Sequence, residues 1–390
     1  ADAKQDVVTL GPGVSISIGG HRYLLSEALG KGSFGMVWAA ADRAGTQVAI
    51  KELSCRSARE LERCRDEARL LETVGDLLGG AGGVVRVPTL VSSETTQVPV
   101  PRGEAYLLRL AMTRLPGMPL EEFLEQSRNA RSKQGQVSAE TIHRQFSDSC
   151  RYAGEMLVQL APALEALSAR LYHRDVTPRN ILVDTSKGRD HPSFFLVDFG
   201  LAVDGETWRQ GGPGAGDLGG DGRYWPVSAW LVFAMGAQEL DGRPVLWDEY
   251  RTCLDIHALG LSVLRCLMDL LPQIPEPAAG APFRRSPAQP QLRTLRAAWS
   301  KYWSDVRRFW QPIFDAFRTG GDFDALRAAF VRAGVHRTVS ANLCALRAAL
   351  SEARLACVGA PRDTGLGGMP ALFEALLMMI RSGSESREEE

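Results

Sequence analysis

No C-x-x-C pair occurs among the seven cysteines, which stand at 55, 64, 150, 253, 266, 344 and 357. An odd, unpatterned set in a chain of 390 residues argues against a disulfide framework or a zinc site, and for thiols in a reducing compartment. No apolar run is long enough to span a bilayer, so no membrane span is expected. Neither sign of charge dominates. The 45 basic and 46 acidic residues leave a formal net charge of −1, which gives no general attraction to nucleic acid or an anionic membrane. There is also no internal repeat. What remains is the composition of an ordinary globular protein, 45% hydrophobic and 23% charged. Its length calls for two lobes or one large domain with insertions. The chain opens at Ala1 rather than methionine, so a removed leader or a longer natural N-terminus is expected; the thiols point to the cytoplasm.

The first fifty residues alternate and turn like antiparallel sheet. Val14 to Ile18 and Tyr23 to Leu25 read as strands around Gly19-Gly20, and 36–40 with 46–50 as a hairpin. Residues 58–78 change to helical spacing, with Leu61, Cys64, Ala68 and Leu71 on one side, and five residues rich in glycine stop them. Strand character resumes near 84–91 and 106–112. Beyond Pro116-Gly117 the pattern is mainly helical, with a polar insertion at 127–138 and a long helix over 146–171. The boundaries that follow are an N-terminal extension 1–20, a sheet-rich part 21–115, a helical part 116–271 and a Pro/Ala-rich loop 272–291. Further helices then occupy 292–381, and a Ser/Glu/Arg tail over 382–390 is expected to be disordered.

Leu29-Gly30-Lys31-Gly32-Ser33-Phe34-Gly35-Met36-Val37 contains G-x-G-x-x-G. A dinucleotide site would need a helix directly after the third glycine, whereas a hairpin follows here. Glycines in a strand–turn–strand let backbone N–H groups lie close over phosphates; the alternative is a ligand-free hairpin. In Val48-Ala49-Ile50-Lys51, alternation puts Ala49 and Lys51 on one face, so a flat base fits beside Ala49 while Lys51 reaches phosphate. An ordinary strand-end lysine is the competing reading. A phosphate-binding lysine needs an acid to hold it, and Glu60, Glu67 and Glu72 all lie on the following helix.

The chemistry is concentrated in His173-Arg174-Asp175-Val176-Thr177-Pro178-Arg179-Asn180 and in Asp198-Phe199-Gly200. Asp175 is placed to accept or orient a hydroxyl proton during in-line transfer. Asn180 and Asp198 offer the hard oxygens that Mg²⁺ prefers. As purely structural residues Asp175 and Asn180 would be turn formers.

In the order of these motifs, over residues 25–271, the chain resembles the eukaryotic protein kinase family as a divergent Ser/Thr-kinase-like member. The resemblance implies an α+β, bilobal fold: a small antiparallel-sheet N-lobe with one main helix, and a large helical C-lobe carrying extra C-terminal helices. It implies Gly30, Gly32 and Gly35 as the phosphate-covering loop and Lys51 with Glu67 as the strand–helix ion pair. Leu29, Val37, Ala49 and Leu182 would sandwich adenine, with Met112 guarding the back pocket and Thr113 to Leu115 forming the hinge. Asp175 would be the catalytic acid/base, Asn180 and Asp198 the metal ligands, and Asp255 the brace of the catalytic loop. ATP, Mg²⁺ and a protein hydroxyl, with serine or threonine expected, would be the reactants and cofactor.

Three departures stand out. Thr177 occupies the place of the lysine that usually follows the catalytic aspartate by two, with Arg179 as a candidate substitute. No Ala-Pro-Glu follows Asp-Phe-Gly; Gly220-Asp221-Gly222-Arg223-Tyr224-Trp225-Pro226 stands there. Seven glycines lie between 211 and 222, which predicts flexibility. Only Thr207 and Tyr224 offer hydroxyls between Asp198 and Pro226, and activity is expected not to need phosphorylation of this loop. Trp225 and Trp230 sit where a peptide would dock, although the large share of tryptophans in the second half reads first as core. The helices after 291 match no family pattern and either pad the large lobe or offer a partner surface. A nucleotide-binding pseudokinase and a small-molecule kinase are the alternative readings.

Overall fold

The computed structural model describes residues 10–31, 35–79, 85–99, 104–132, 139–211, 218–272, 288–358 and 366–383. The chain divides into two compact units: Ala1–Pro116 with Phe195–Asp204, and Gly117–Phe194 with Gly205–Glu390. The class is α+β, a sheet-rich unit and a mainly helical one.

The first unit contains β1 (Ser15–Ile18), β2 (His21–Lys31), β3 (Gly35–Asp42), β4 (Gln47–Cys55), α1 (Ala58–Gly79), β5 (Leu90–Pro99) and β6 (Glu104–Thr113). The strands form one antiparallel sheet in the order β1-β2-β3-β4-β6-β5. Ile16, Ile18, Tyr23, Leu25, Ala40, Val48, Ile50 and Ala111 form a core on one face, with Leu10, Val14 and Trp38 packed against it. Residues 15–18 are therefore part of the sheet, which corrects the assignment of 1–20 to an extension. The reason is local: Ser-Ile-Ser-Ile turns both isoleucines inward, and Gly19 and Gly20, both at positive φ, make the tight return. Strand β5 begins at Leu90, not near 84, and runs through Ser, Glu, Thr and Gln. As an edge strand it has no need of an apolar run, so its composition hid it.

The second unit begins with β7 (Met118–Pro119), α2 (Leu120–Ser132), α3 (Ala139–Ser168), β8 (Leu171–Tyr172) and β9 (Ile181–Asp184). Strand β10 (Ser193–Leu196) leads into the segment of the first unit that ends in β11 (Val203–Asp204). Then come α4 (Gly205–Arg209), a 3₁₀ turn (Gly222–Tyr224), α5 (Val227–Met235), a second 3₁₀ turn (Ala237–Leu240), α6 (Pro244–Thr252) and α7 (Leu254–Leu270). The C-terminal helices are α8 (Gln289–Thr319), α9 (Phe323–Ala333), α10 (Val335–Cys357) and α11 (Met369–Met379). Helix α3 starts seven residues before the expected 146, and α2 occupies much of the expected insertion. Helices α8, α10 and α11 pack on one another or on α3, α5 and α7, which builds them into the helical unit. The start of the expected tail is also held: the Ser340 hydroxyl donates to the Ser382 carbonyl at 2.7 Å, and the Arg381 N–H to His257 Nδ1 at 2.9 Å. Residues 384–390 lie outside the described residues. Trp230 is fully buried and Trp225 nearly so, so both belong to the core and neither is an exposed docking anchor. All seven cysteines are free. Among the described residues no helix is long and apolar enough to cross a membrane.

Candidate active site

In the sheet unit the strand register decides which side chains share a surface. Strands β3 and β4 set Val37 opposite Lys51 and Ala39 opposite Ala49, while β4 and β6 set Ala49 opposite Met112. Residues opposite one another point the same way, so Val37, Ala49, Lys51 and Met112 occupy the face away from the Ile50 core. Lys51 is 2% exposed. Its Nζ lies 2.7 Å from Glu67 Oε1 and 2.7 Å from Asp198 Oδ1. Burial by itself would pull the Lys51 pKa down, but the two carboxylates outweigh it and hold the ammonium above the usual lysine value.

The choice among the helix glutamates follows from α1. Ser57 Oγ accepts from the Glu60 N–H, and the Glu60 carboxylate turns back to the Arg56 N–H at 2.6 Å, so Glu60 is spent on the helix start. Glu72 is exposed and Glu67 is buried with Ala68 and Leu71. Gly35 is required for a steric reason: a Cβ there would collide with the Glu52 carbonyl in the neighbouring strand. Gly30 pairs opposite Val37, and Leu29 beside it is exposed. Gly32 lies outside the described residues. The Thr113 N–H donates to the Thr89 carbonyl at 3.0 Å, and its hydroxyl accepts from the Thr89 N–H at 2.9 Å, which fixes the end of β6 just before half-buried Leu115.

In the helical unit the 173–180 loop is held from below. Buried Asp255, at the start of α7, accepts the His173 N–H at 2.6 Å and the Arg174 N–H at 2.7 Å. The Ser262 hydroxyl donates to the Val176 carbonyl, and the Glu121 N–H to the Pro178 carbonyl. Asp175 is anchored at both oxygens: the Asp221 N–H donates to Oδ1 at 3.0 Å and Asn180 Nδ2 to Oδ2 at 2.8 Å. Burial holds the Asp175 carboxyl above the ordinary aspartate range, and the Asp221 carboxylate adds to this, while the two hydrogen bonds work against it. Asn180 Nδ2 donates to the Asp175 carbonyl at 3.0 Å as well as to its carboxylate. Leu182 lies in β9, opposite Pro119 of β7.

Among the described residues, Arg174 and Asp198 are the non-glycine residues at positive φ, 65° and 66°. Such strain persists where the surroundings over-determine it and clusters at functional sites. The Arg174 guanidinium lies over the Trp208 ring, 5.2 Å from its centroid. Arg179 is 3.7 Å from Glu121, a carboxylate partner for the side chain considered as a substitute for the missing lysine. Thr177 is buried, and its N–H donates to the Asp175 carbonyl. Tyr224 is buried with its hydroxyl accepting from Arg265 at 2.6 Å, so it is no exposed acceptor.

Sequence reasoning did not place Asp221 or Gly220 against Asp175. It assigned their glycine-rich stretch to flexibility, yet 218–222 is fastened to the 173–180 loop. Gly220 has φ +81°, and a Cβ there would collide with the Arg174 carbonyl and lie 3.1 Å from Asp175 Oδ1. Gly220→Ala is expected to cost about 1–3 kcal/mol through backbone strain, measured by urea denaturation. An unchanged midpoint would show that the loop relaxes freely. The recoverable signal was the triplet Gly-Asp-Gly, a turn former with an N-cap aspartate; Asp221 Oδ1 does accept from the Arg223 N–H.

The family model of the protein kinase domain matches residues 23–211. That stretch, a little under half of the chain, is a protein kinase domain of the eukaryotic-like family. The chain is 31% identical over 198 residues to the serine/threonine-protein kinase PknA of Mycobacterium tuberculosis, covering 50% of this chain and 38% of that relative. It is 28% identical over 186 residues to mitogen-activated protein kinase 15 of Rattus norvegicus, covering 47% and 27%. Against the serine/threonine-protein kinase PkaA of Streptomyces coelicolor the figures are 29% over 200 residues, 47% and 30%. The chain thus spans well under half the length of the curated relatives it matches. The matched stretch of the kinase domain ends at 211, whereas the resemblance was drawn to 271; the divergent segment without Ala-Pro-Glu begins there.

Proposed function

We propose that this kinase domain transfers the γ-phosphate of ATP to a protein hydroxyl, with serine or threonine as the acceptor. The observation that carries the reading is Lys51 Nζ held 2.7 Å from both Glu67 and Asp198. A buried lysine kept charged between a helix carboxylate and the Asp-Phe-Gly aspartate is a fixed cation for phosphate oxygens. In this reading Gly30, Gly32 and Gly35 cover the phosphates, and Leu29, Val37, Ala49, Met112 and Leu182 contact the base, with Thr113 and Leu115 meeting its edge.

Asp175 accepts the proton of the acceptor hydroxyl while its oxygen bonds to the γ-phosphorus and the bond to the ADP oxygen breaks. Its burial-raised pKa makes it a stronger base than an exposed aspartate, and it acts deprotonated. Asp198 and Asn180 are the metal ligands. Their hard oxygens suit Mg²⁺, which takes one or two carboxylates and completes its shell with phosphate and water. Bound Mg²⁺ would neutralise phosphate charge.

The second reading, a nucleotide-binding pseudokinase, is favoured by one fact: both Asp175 oxygens already accept hydrogen bonds within the chain. Labelled ATP with mixed peptides separates the two. Transfer by the wild-type chain, reduced about 10²–10⁴-fold in Asp175→Asn, supports catalysis. Nucleotide binding without transfer to any peptide or to itself supports the pseudokinase, and transfer to metabolites alone redirects the activity to small molecules.

A further inference from the structure

Helix α8 begins 78 residues beyond the end of the kinase match, yet its aromatic side chains surround the short turn that carries Asp221. Asp221 caps the Gly222–Tyr224 turn and gives its N–H to Asp175 Oδ1 at 3.0 Å. Three residues of α8 reach that turn. The Tyr302 hydroxyl, on a fully buried ring, donates to the Arg223 carbonyl at 3.1 Å. The Trp303 ring meets Tyr224 edge-on at 5.6 Å and lies beneath the guanidinium groups of Arg223 and Arg265, at 5.5 and 5.0 Å. The Trp310 ring lies against the Gly222 backbone so closely that a Cβ on Gly222 would be 2.7 Å from its Cε3. It also meets Trp225 edge-on at 5.8 Å. Trp225 Nε1 in turn donates to the Gly219 carbonyl at 3.0 Å, which closes the 219–225 loop.

We infer that α8 is an in-chain brace whose Tyr302 and Trp310 are positioning residues, holding the Gly222–Tyr224 turn so that the Asp221 N–H stays on Asp175. The inference rests on the proposed role of Asp175. It assigns to the C-terminal helices a part in the reaction that padding would not have. The physical argument is one of coupling. A three-residue turn cannot hold its own place, because the conformational entropy of ordering it exceeds what one N–H···O bond returns. Aromatic faces packed on a glycine backbone, and a buried hydroxyl on a carbonyl, supply the missing constraint. The anchor is composed of aromatic rings and hydroxyls with two guanidinium groups. Gly222 is the residue that permits Trp310 to approach.

The test uses the full chain, wild type against Trp310→Ala, Trp310→Phe and Tyr302→Phe, with steady-state transfer and hydrogen exchange read together. Trp310→Ala is expected to lower kcat about 10- to 100-fold, as misplacement of a reacting group does, with KM for ATP unchanged. Trp310→Phe should restore most of it. Tyr302→Phe, which keeps the ring and the fold, should lower kcat several-fold. In Trp310→Ala and Tyr302→Phe the amides of 218–226 should exchange faster while those of α10 and α11 keep their wild-type protection. Unchanged kcat and unchanged exchange at 218–226 in these two variants overturn the brace, and so does a rise in kcat, which would mean that the turn obstructs Asp175. If the wild-type chain transfers no phosphate, the proposed function falls by itself, and the exchange at 218–226 alone then sustains or overturns the brace.

Discussion

Lys51→Met is expected to unfold the sheet unit at markedly lower urea and to lower phosphate transfer steeply, two losses with one electrostatic cause. The side chains of Lys51 and Glu67 are 3% and 5% exposed, so the pair stands out of water; Asp198 is 34% exposed and partly screened. Removing one member of a buried pair leaves the other desolvated and uncompensated, which costs about 3–5 kcal/mol, whereas replacing both by apolar groups is often neutral. Screening at Asp198 places the expected loss at about 3 kcal/mol. The sign with pH is also determined. Without its cation, buried Glu67 should have a folded pKa above its unfolded value, a shift that favours the folded state as pH falls. The deficit of Lys51→Met relative to wild type should therefore be full at pH 8 and smaller at pH 5.5. Lys51→Met with Glu67→Leu should recover most of the stability at pH 8 while transfer stays low. Transfer should drop about 10²–10³-fold or more, the usual cost of losing one fixed donor to a developing charge. Equal urea midpoints for wild type and Lys51→Met at pH 8 would falsify the account of the pair.

The second large effect is expected at His257, far along the chain from the motifs. Its ring is fully buried, and burial first, then the positive charges of Arg381 and Arg347, push its pKa down to about 3. Nδ1 accepts the Arg381 N–H, so protonation would place a charge among guanidinium groups and also remove that acceptor. A folded pKa below the unfolded value of about 6.5 means that the stabilisation is whole above pH 6.5 and is lost as pH falls toward 3. At pH 5 the loss from this one group should be about 2 kcal/mol relative to pH 7. Buried Asp255 and Glu249, whose pKa values are raised by desolvation, change stability with pH in the opposite sense. The measurement is accordingly a difference: urea midpoints at pH 7 and pH 5 for wild type and His257→Asn. The variant should be less stable at pH 7 but lose about 2 kcal/mol less on acidification. Identical pH dependence in the two chains would show that the ring does not carry this linkage.

The motifs were readable because each is a contiguous string whose geometry follows from backbone periodicity. Alternation alone put Ala49 beside Lys51, and the β3–β4 register later added Val37 to the same face. The helices of the C-terminal third announced themselves by their spacing, since an amphipathic stripe depends only on neighbours three and four apart. Strand β5 did not, because an edge strand of serine, threonine and glutamine carries little apolar signal. The docked segment around Ser382 was missed for a related reason: its anchors, His257 and Ser340, are remote in sequence.

By itself the amino-acid order determined the chemistry: which carboxylates, amide and lysine are present, in what sequence, and on which local element. Only tertiary structure decided which of them meet. It selected Glu67 over Glu60 and Glu72 by burying one and spending another on a helix cap. It brought the Asp221 N–H to Asp175 across 46 positions, and set Tyr302 and Trp310 against the turn between them. Local spacing is governed by bond geometry that every chain shares, whereas long-range partners depend on which apolar faces this chain buries together, and no short window of residues contains that information.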